Sequence, residues 1–96
     1  MKSVTQINFL SIKPDKIDKF FAADRNYIAS TTPPDGLISS HLYRSLDGKS
    51  AVRVTTYESM AAQRKVHESE SLKRQIALLR EFVESSTPQL YEEVEK

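Results

Sequence analysis

Two β-rich runs, Leu37 to Leu46 and Ser50 to Tyr57, flank Asp47-Gly48-Lys49, and the second passes directly into Glu58-Ser59 and a helical stretch. Asp-Gly between such runs marks a hairpin, because glycine accepts the positive φ that a tight reversal requires. Ser59 offers a side-chain oxygen to the first free N–H groups of the following helix, so strand becomes helix with almost no linker. One strand-like and one helix-like segment precede this unit. A long helical stretch and a short last strand follow it, giving the order β-α-β-β-α-β.

The first strand spans about Val4 to Ile12. Ile7 and Phe9 share one face, while Gln6 and Asn8 share the other with Val4, Leu10 and Ile12, so one face is apolar and the other mixed. Lys13-Pro14-Asp15 breaks the strand and opens a helix: proline suits a first turn and aspartate complements its positive end. Ile17, Phe20, Phe21, Asp24 and Ile28 follow helical spacing, with Asp24 interrupting the apolar stripe. Thr31 to Gly36, with two prolines, is a stiff loop.

Beyond the hairpin the pattern is helical from Ser59 to about Ser86, with a break expected at Glu68-Ser69-Glu70-Ser71, where capping residues cluster. Leu72, Ile76, Leu79 and Val83 form the later stripe. Thr87-Pro88 is expected to end the helix, and Gln89 to Val94 to form an edge or exchanged strand whose charges suit an exposed border. This order places both helices on one face of a four-stranded antiparallel sheet, a ferredoxin-like α+β fold. The opposite face, expected to be the mixed one, needs a cover, and two chains packed sheet against sheet as a dimeric α+β barrel supply it. A chain of 96 residues reads as one domain over 1–96, small enough for oligomerisation to add stability.

Composition narrows the function. With 14 basic and 13 acidic residues, net +1, and no charged block, nothing points to a nucleic-acid or membrane partner. The absence of cysteine excludes a disulfide framework, thiol catalysis and Cys-based metal sites. No apolar leader follows Met1-Lys2, so a soluble, cytoplasmic chain is expected. Two glycines leave little for a phosphate cradle, and two distant histidines lack metal-ligand spacing.

The runs Ile7-Asn8-Phe9 through Lys13-Pro14-Asp15-Lys16, Asp35-Gly36-Leu37-Ile38-Ser39, Tyr43 to Gly48 and Tyr57-Glu58-Ser59 together resemble the antibiotic biosynthesis monooxygenase family over nearly the whole chain. The resemblance implies a dimeric barrel with a pocket in each subunit between sheet and helices. It also implies, as in members that oxidise polyketide aromatics, oxygenation without flavin, haem or metal, in which the substrate itself reduces oxygen after losing a proton. Those members carry an Asn on the third strand and, four residues on, a Trp before the Glu-Ser of the helix start. Arg53 and Tyr57 stand there in this chain. The haem-degrading branch places a Trp and, ten residues on, an iron-binding His where this chain has Val66 and Ile76, which excludes that chemistry.

Oxygenation of this kind needs donors aimed at a developing oxyanion and a base that works near neutral pH. Arg53 and Asn8 are the candidate donors, Tyr57 and Tyr43 candidate aromatic walls, and His67 or His41 the base. Each has a structural alternative. Arg53 pairs with a carboxylate or reaches solvent, Asn8 has a barrel-interior role, the tyrosines pack in the core, and His41 is satisfied structurally on its strand. Three functions follow: a cofactor-independent monooxygenase acting on a small aromatic or quinol-like metabolite; an isomerase or lyase using the same pocket; and a non-catalytic small-ligand-binding homodimer. The last is favoured if Arg53 is salt-bridged and the histidines are exposed.

Overall fold

A computed structural model describes residues 2–96. The elements are β1 (Val4–Ile12), α1 (Ile17–Ala29), β2 (Leu37–Arg44), β3 (Ser50–Tyr57), α2 (Met60–His67), α3 (Glu70–Leu79), a 3₁₀ turn (Arg80–Phe82) and β4 (Val83–Tyr91). All neighbouring strands run antiparallel in the order β2-β3-β1-β4, with the helices on one face. This is the expected ferredoxin-like arrangement with its second helix divided in two.

The expected hairpin closes through side-chain chemistry as well as glycine. Gly48 has φ 73°, and Asp47 Oδ1 accepts from Ser45 Oγ at 2.6 Å and from Lys49 N at 2.9 Å. Those two bonds, the hydroxyl first, hold the Asp47 carboxyl below its ordinary pKa. Ser59 caps α2 by accepting from Ala62 N at 3.1 Å. Ser69 caps α3 by accepting from Leu72 N at 3.2 Å, so the helical stretch breaks where the capping residues cluster.

Three expectations are corrected. Asp15 is not in the first helical turn: it sits in a left-handed turn with φ 63°, and α1 begins at Ile17 with Asp18 as its early acid. The second helical region ends at Phe82, and β4 occupies Val83–Tyr91. Val83 continues the apolar spacing of α3, but pairing with Ile12 draws it into the sheet. Pro88 is tolerated inside β4 because that strand is the sheet's edge. Finally, the mixed face of β1 is the one covered by helices, and the face carrying Ile7 and Phe9 is open, with Phe9 54% exposed.

Two apolar clusters explain that assignment. Leu10, Ile12, Phe20, Ala51 and Leu79 form one, while Val4, Tyr57 and Val66 form the other. Along β1 the apolar residues at either end belong to different clusters, and polar Gln6 and Asn8 fall between them. β3 repeats the pattern: Ala51 belongs to the first cluster, Tyr57 to the second, and Arg53 and Thr55 lie between. The polar middle of each strand marks the gap between two cores.

Candidate functional site

That gap is a cavity of about 550 Å³, within the range of small-molecule sites. Its floor is the sheet, with Gln6 and Asn8 of β1, Ser40 of β2, and Arg53, Thr55 and Tyr57 of β3. Its roof is apolar, built by Phe20 and Ile28 of α1 and by Leu72, Ile76 and Leu79 of α3. His67, the last residue of α2, stands at the rim. At the other side Tyr27 joins α1 to α3 through its hydroxyl, which bonds to Ser71 Oγ at 2.6 Å and donates to the Ser71 carbonyl.

Asn8 and Arg53 are direct register partners on β1 and β3. Side chains so placed stand about 5 Å apart at Cβ and project to the same side. Asn8 Oδ1 accepts from Ser86 Oγ of β4 at 2.9 Å, which leaves the amide N–H groups as its contribution to the cavity. Arg53 Nη2 donates to Asp24 Oδ1 at 2.5 Å, and Gln75 Nε2 of α3 donates to the same oxygen at 3.0 Å. Asp24 is 3% exposed, so the carboxylate that interrupts the stripe of α1 is buried and twice satisfied. Arg53 keeps further N–H groups on the cavity side.

At the rim, Gln6 Oε1 accepts from Gln63 Nε2 at 3.3 Å and lies 2.9 Å from His67 Nε2. Gln6 Oε1 as acceptor there favours the tautomer that carries its N–H on Nε2, in which Nδ1 is the acceptor nitrogen. Tyr57 is almost wholly buried within the floor, packed with Val4 and Val66, and burial pushes its phenol pKa up, partly offset by the nearby Arg53 charge.

Asn8, Arg53, Tyr57 and His67 are therefore brought to one cavity. His41 and Tyr43 are not. They pair with Val54 and Val52 on the open sheet face, ring centroids 6.4 Å apart, and line no part of the cavity. The physical reason is a register shift between Leu37 and Ser39. The residues that matter here beyond those expected are Gln6, Asp24 and Gln75. Asp24 had a signal, since a carboxylate in an apolar stripe requires a buried cation or donors. Gln75 had none.

Among the described residues no group of three His, Asp or Glu side chains is placed to hold a metal ion, and no helix is long and apolar enough to cross a membrane.

Fold and site define a ferredoxin-like α+β chain whose one-sided helix layer roofs a cavity of small-molecule size. The model of the family described as antibiotic biosynthesis monooxygenase matches residues 3–78, and the chain belongs to that family. Among solved structures, a conserved protein from Methanosarcina mazei is 18% identical with TM-score 0.85, the match covering 98% of this chain and 95% of that one. A protein from Mycobacterium tuberculosis is 23% identical with TM-score 0.82, covering 98% and 97%. The cofactor-independent oxygenase SnoaB from Streptomyces nogalater is 19% identical with TM-score 0.76, covering 100% and 97%. At these identities the likeness is one of fold. No curated protein sequence matches the chain.

Proposed function

We propose that the chain is a cofactor-independent monooxygenase that oxidises a small hydroxylated aromatic, of quinol type, in the cavity between sheet and helices. The observation that carries this reading is the meeting of Asn8, Arg53 and His67 around one apolar-roofed space. The apolar roof suits an aromatic ring, and the donor-bearing floor suits its oxygen. His67 Nδ1 takes the substrate proton, and N–H groups of Arg53 and Asn8 stabilise the oxyanion that forms. The electron-rich anion then reduces dioxygen and combines with it. One oxygen atom stays on the ring carbon, and the other leaves as water with the two hydrogens that the substrate gives up. Tyr57 supports the floor as a neutral phenol.

Family membership supports the oxygenase class, and a structural neighbour described as a cofactor-independent oxygenase supports chemistry without a bound cofactor. We propose further that the chain works as a homodimer joined through its open sheet face, where Phe9 and Tyr43 are more than half exposed beside Val52 and Val54. Isotopically heavy dioxygen tests the chemistry. Chelator-treated protein given aromatic diols is expected to place one labelled atom in the product and the other in water, and a product free of label contradicts the reading.

A second reading is a small-ligand-binding dimer without turnover. It is favoured by the commitment of Arg53 to Asp24 and by the exposure of both histidines. Ligand binding with no oxygen uptake would establish it.

A further inference from the structure

Arg53 is the cation of the cavity floor, and its charge is already matched. Asp24 holds one end of the guanidinium from behind, buried and bonded also by Gln75. Asp24 does not itself line the cavity. A bound molecule therefore meets N–H donors on a floor without net charge. A carboxylate placed there has to share the guanidinium with Asp24 and sit close to a second negative charge in a poorly solvated place, whereas a hydroxyl or carbonyl oxygen uses the same donors without that repulsion. Tyr57 adds no charge while neutral, His67 lies at the rim, and Arg80, the other arginine along the wall, is exposed and screened by water.

We infer that Asp24 is a specificity-determining residue: by neutralising Arg53 it makes the cavity select an uncharged oxygenated aromatic and reject an aromatic carboxylate of the same shape. The inference rests on the reading of this cavity as the substrate site. It also fits oxygenase chemistry, since a neutral substrate is bound first and becomes anionic only as it reacts.

The test is calorimetric titration of the full chain near neutral pH with naphthol and naphthoate substituted at the same ring position. Wild-type protein is expected to bind naphthol at least about tenfold more tightly than naphthoate. Asp24→Asn keeps an oxygen for Arg53 and Gln75 to donate to and removes only the charge, so the ratio is expected to shift toward naphthoate by about tenfold or more. Asp24→Asn combined with Arg53→Gln, neutral at both ends, is expected to lose that gain. Equal wild-type affinities, or a ratio that Asp24→Asn leaves unchanged, overturn the inference while leaving the cavity reading intact. Failure of both probes to bind the wild type removes the cavity reading and the inference together. If Asp24→Asn does not fold, the doubly neutral variant decides: it is expected to keep the wild-type ratio, because the floor is uncharged in both, and a further loss of naphthoate affinity, showing that the Arg53 charge is felt in the wild type, overturns the inference.

Discussion

Arg53 on β3 and Asp24 on α1, 29 residues apart in the chain, meet in an ion pair of 2.5 Å, buried at Asp24 and half-buried at Arg53, that ties the sheet floor to the first helix. Removing the Asp24 carboxylate leaves the half-buried Arg53 guanidinium and the Gln75 amide without their shared acceptor. Asp24→Ala is therefore expected to lower unfolding free energy by about 3 kcal/mol or more. Asp24→Asn, which preserves both acceptor bonds, is expected to cost less. Urea denaturation followed by circular dichroism checks the ranking, and equal losses would mean that the charge carries the whole contribution and the two acceptor bonds add nothing.

Gly36 lies in the loop between α1 and β2 with φ 85°, and a Cβ there would meet the Ala62 Cβ at 2.6 Å. Gly48 has a similar φ of 73° but open space around it. Left-handed strain alone is worth about 1 to 2 kcal/mol, and overpacking adds about 1 to 3. Gly36→Ala is thus expected to destabilise the fold more than Gly48→Ala does, by at least about 1 kcal/mol in parallel melts. Equal losses would indicate that α2 moves aside freely.

Burial raises the Tyr57 pKa above its ordinary value of 10.0. A raised folded-state pKa means stability that is fully present below the unfolded value and lost as pH climbs through the folded one, because only the unfolded chain readily releases the proton. Wild-type protein should lose stability above about pH 10, and Tyr57→Phe should lose less over the same interval. Denaturation midpoints measured at neutral and alkaline pH check this; parallel curves would show that Tyr57 ionises as easily folded as unfolded.

The open sheet face gives a prediction about assembly. One chain has a mass of 10.9 kDa, and sedimentation equilibrium is expected to return twice that value. Phe9→Asp places a charge amid the exposed apolar face and is expected to yield monomers that keep native circular dichroism. A wild-type monomer at micromolar concentration would contradict the dimer.

What could be read from the chain was whatever depended on near neighbours. The Asp47-Gly48 turn and the serine caps at Ser59 and Ser69 each involve bonds within about four residues, and each lies where the sequence pattern puts it. The start of β4 was not legible. Val83 follows Leu79 at helical spacing, and only its pairing with Ile12 makes it a strand residue. The site was half legible for a similar reason. Alternation shows that His41 and Tyr43 share a face, but the register shift near Leu37 reverses the parity of β2, so Leu37 faces the cavity while His41 faces away. The polar middles of β1 and β3 carried the real signal: each interrupts a strand whose apolar ends belong to separate cores.

Oxygen uptake tests the proposed chemistry most directly. Purified, chelator-treated protein is mixed with a panel of anthrones and hydroquinones in an oxygen electrode, beside His67→Ala. The wild type is expected to consume oxygen with no flavin, haem or metal added, and His67→Ala to be slower by about a hundredfold. Ligand binding without oxygen uptake for every member of the panel would contradict the oxygenase and leave a binding protein in its place.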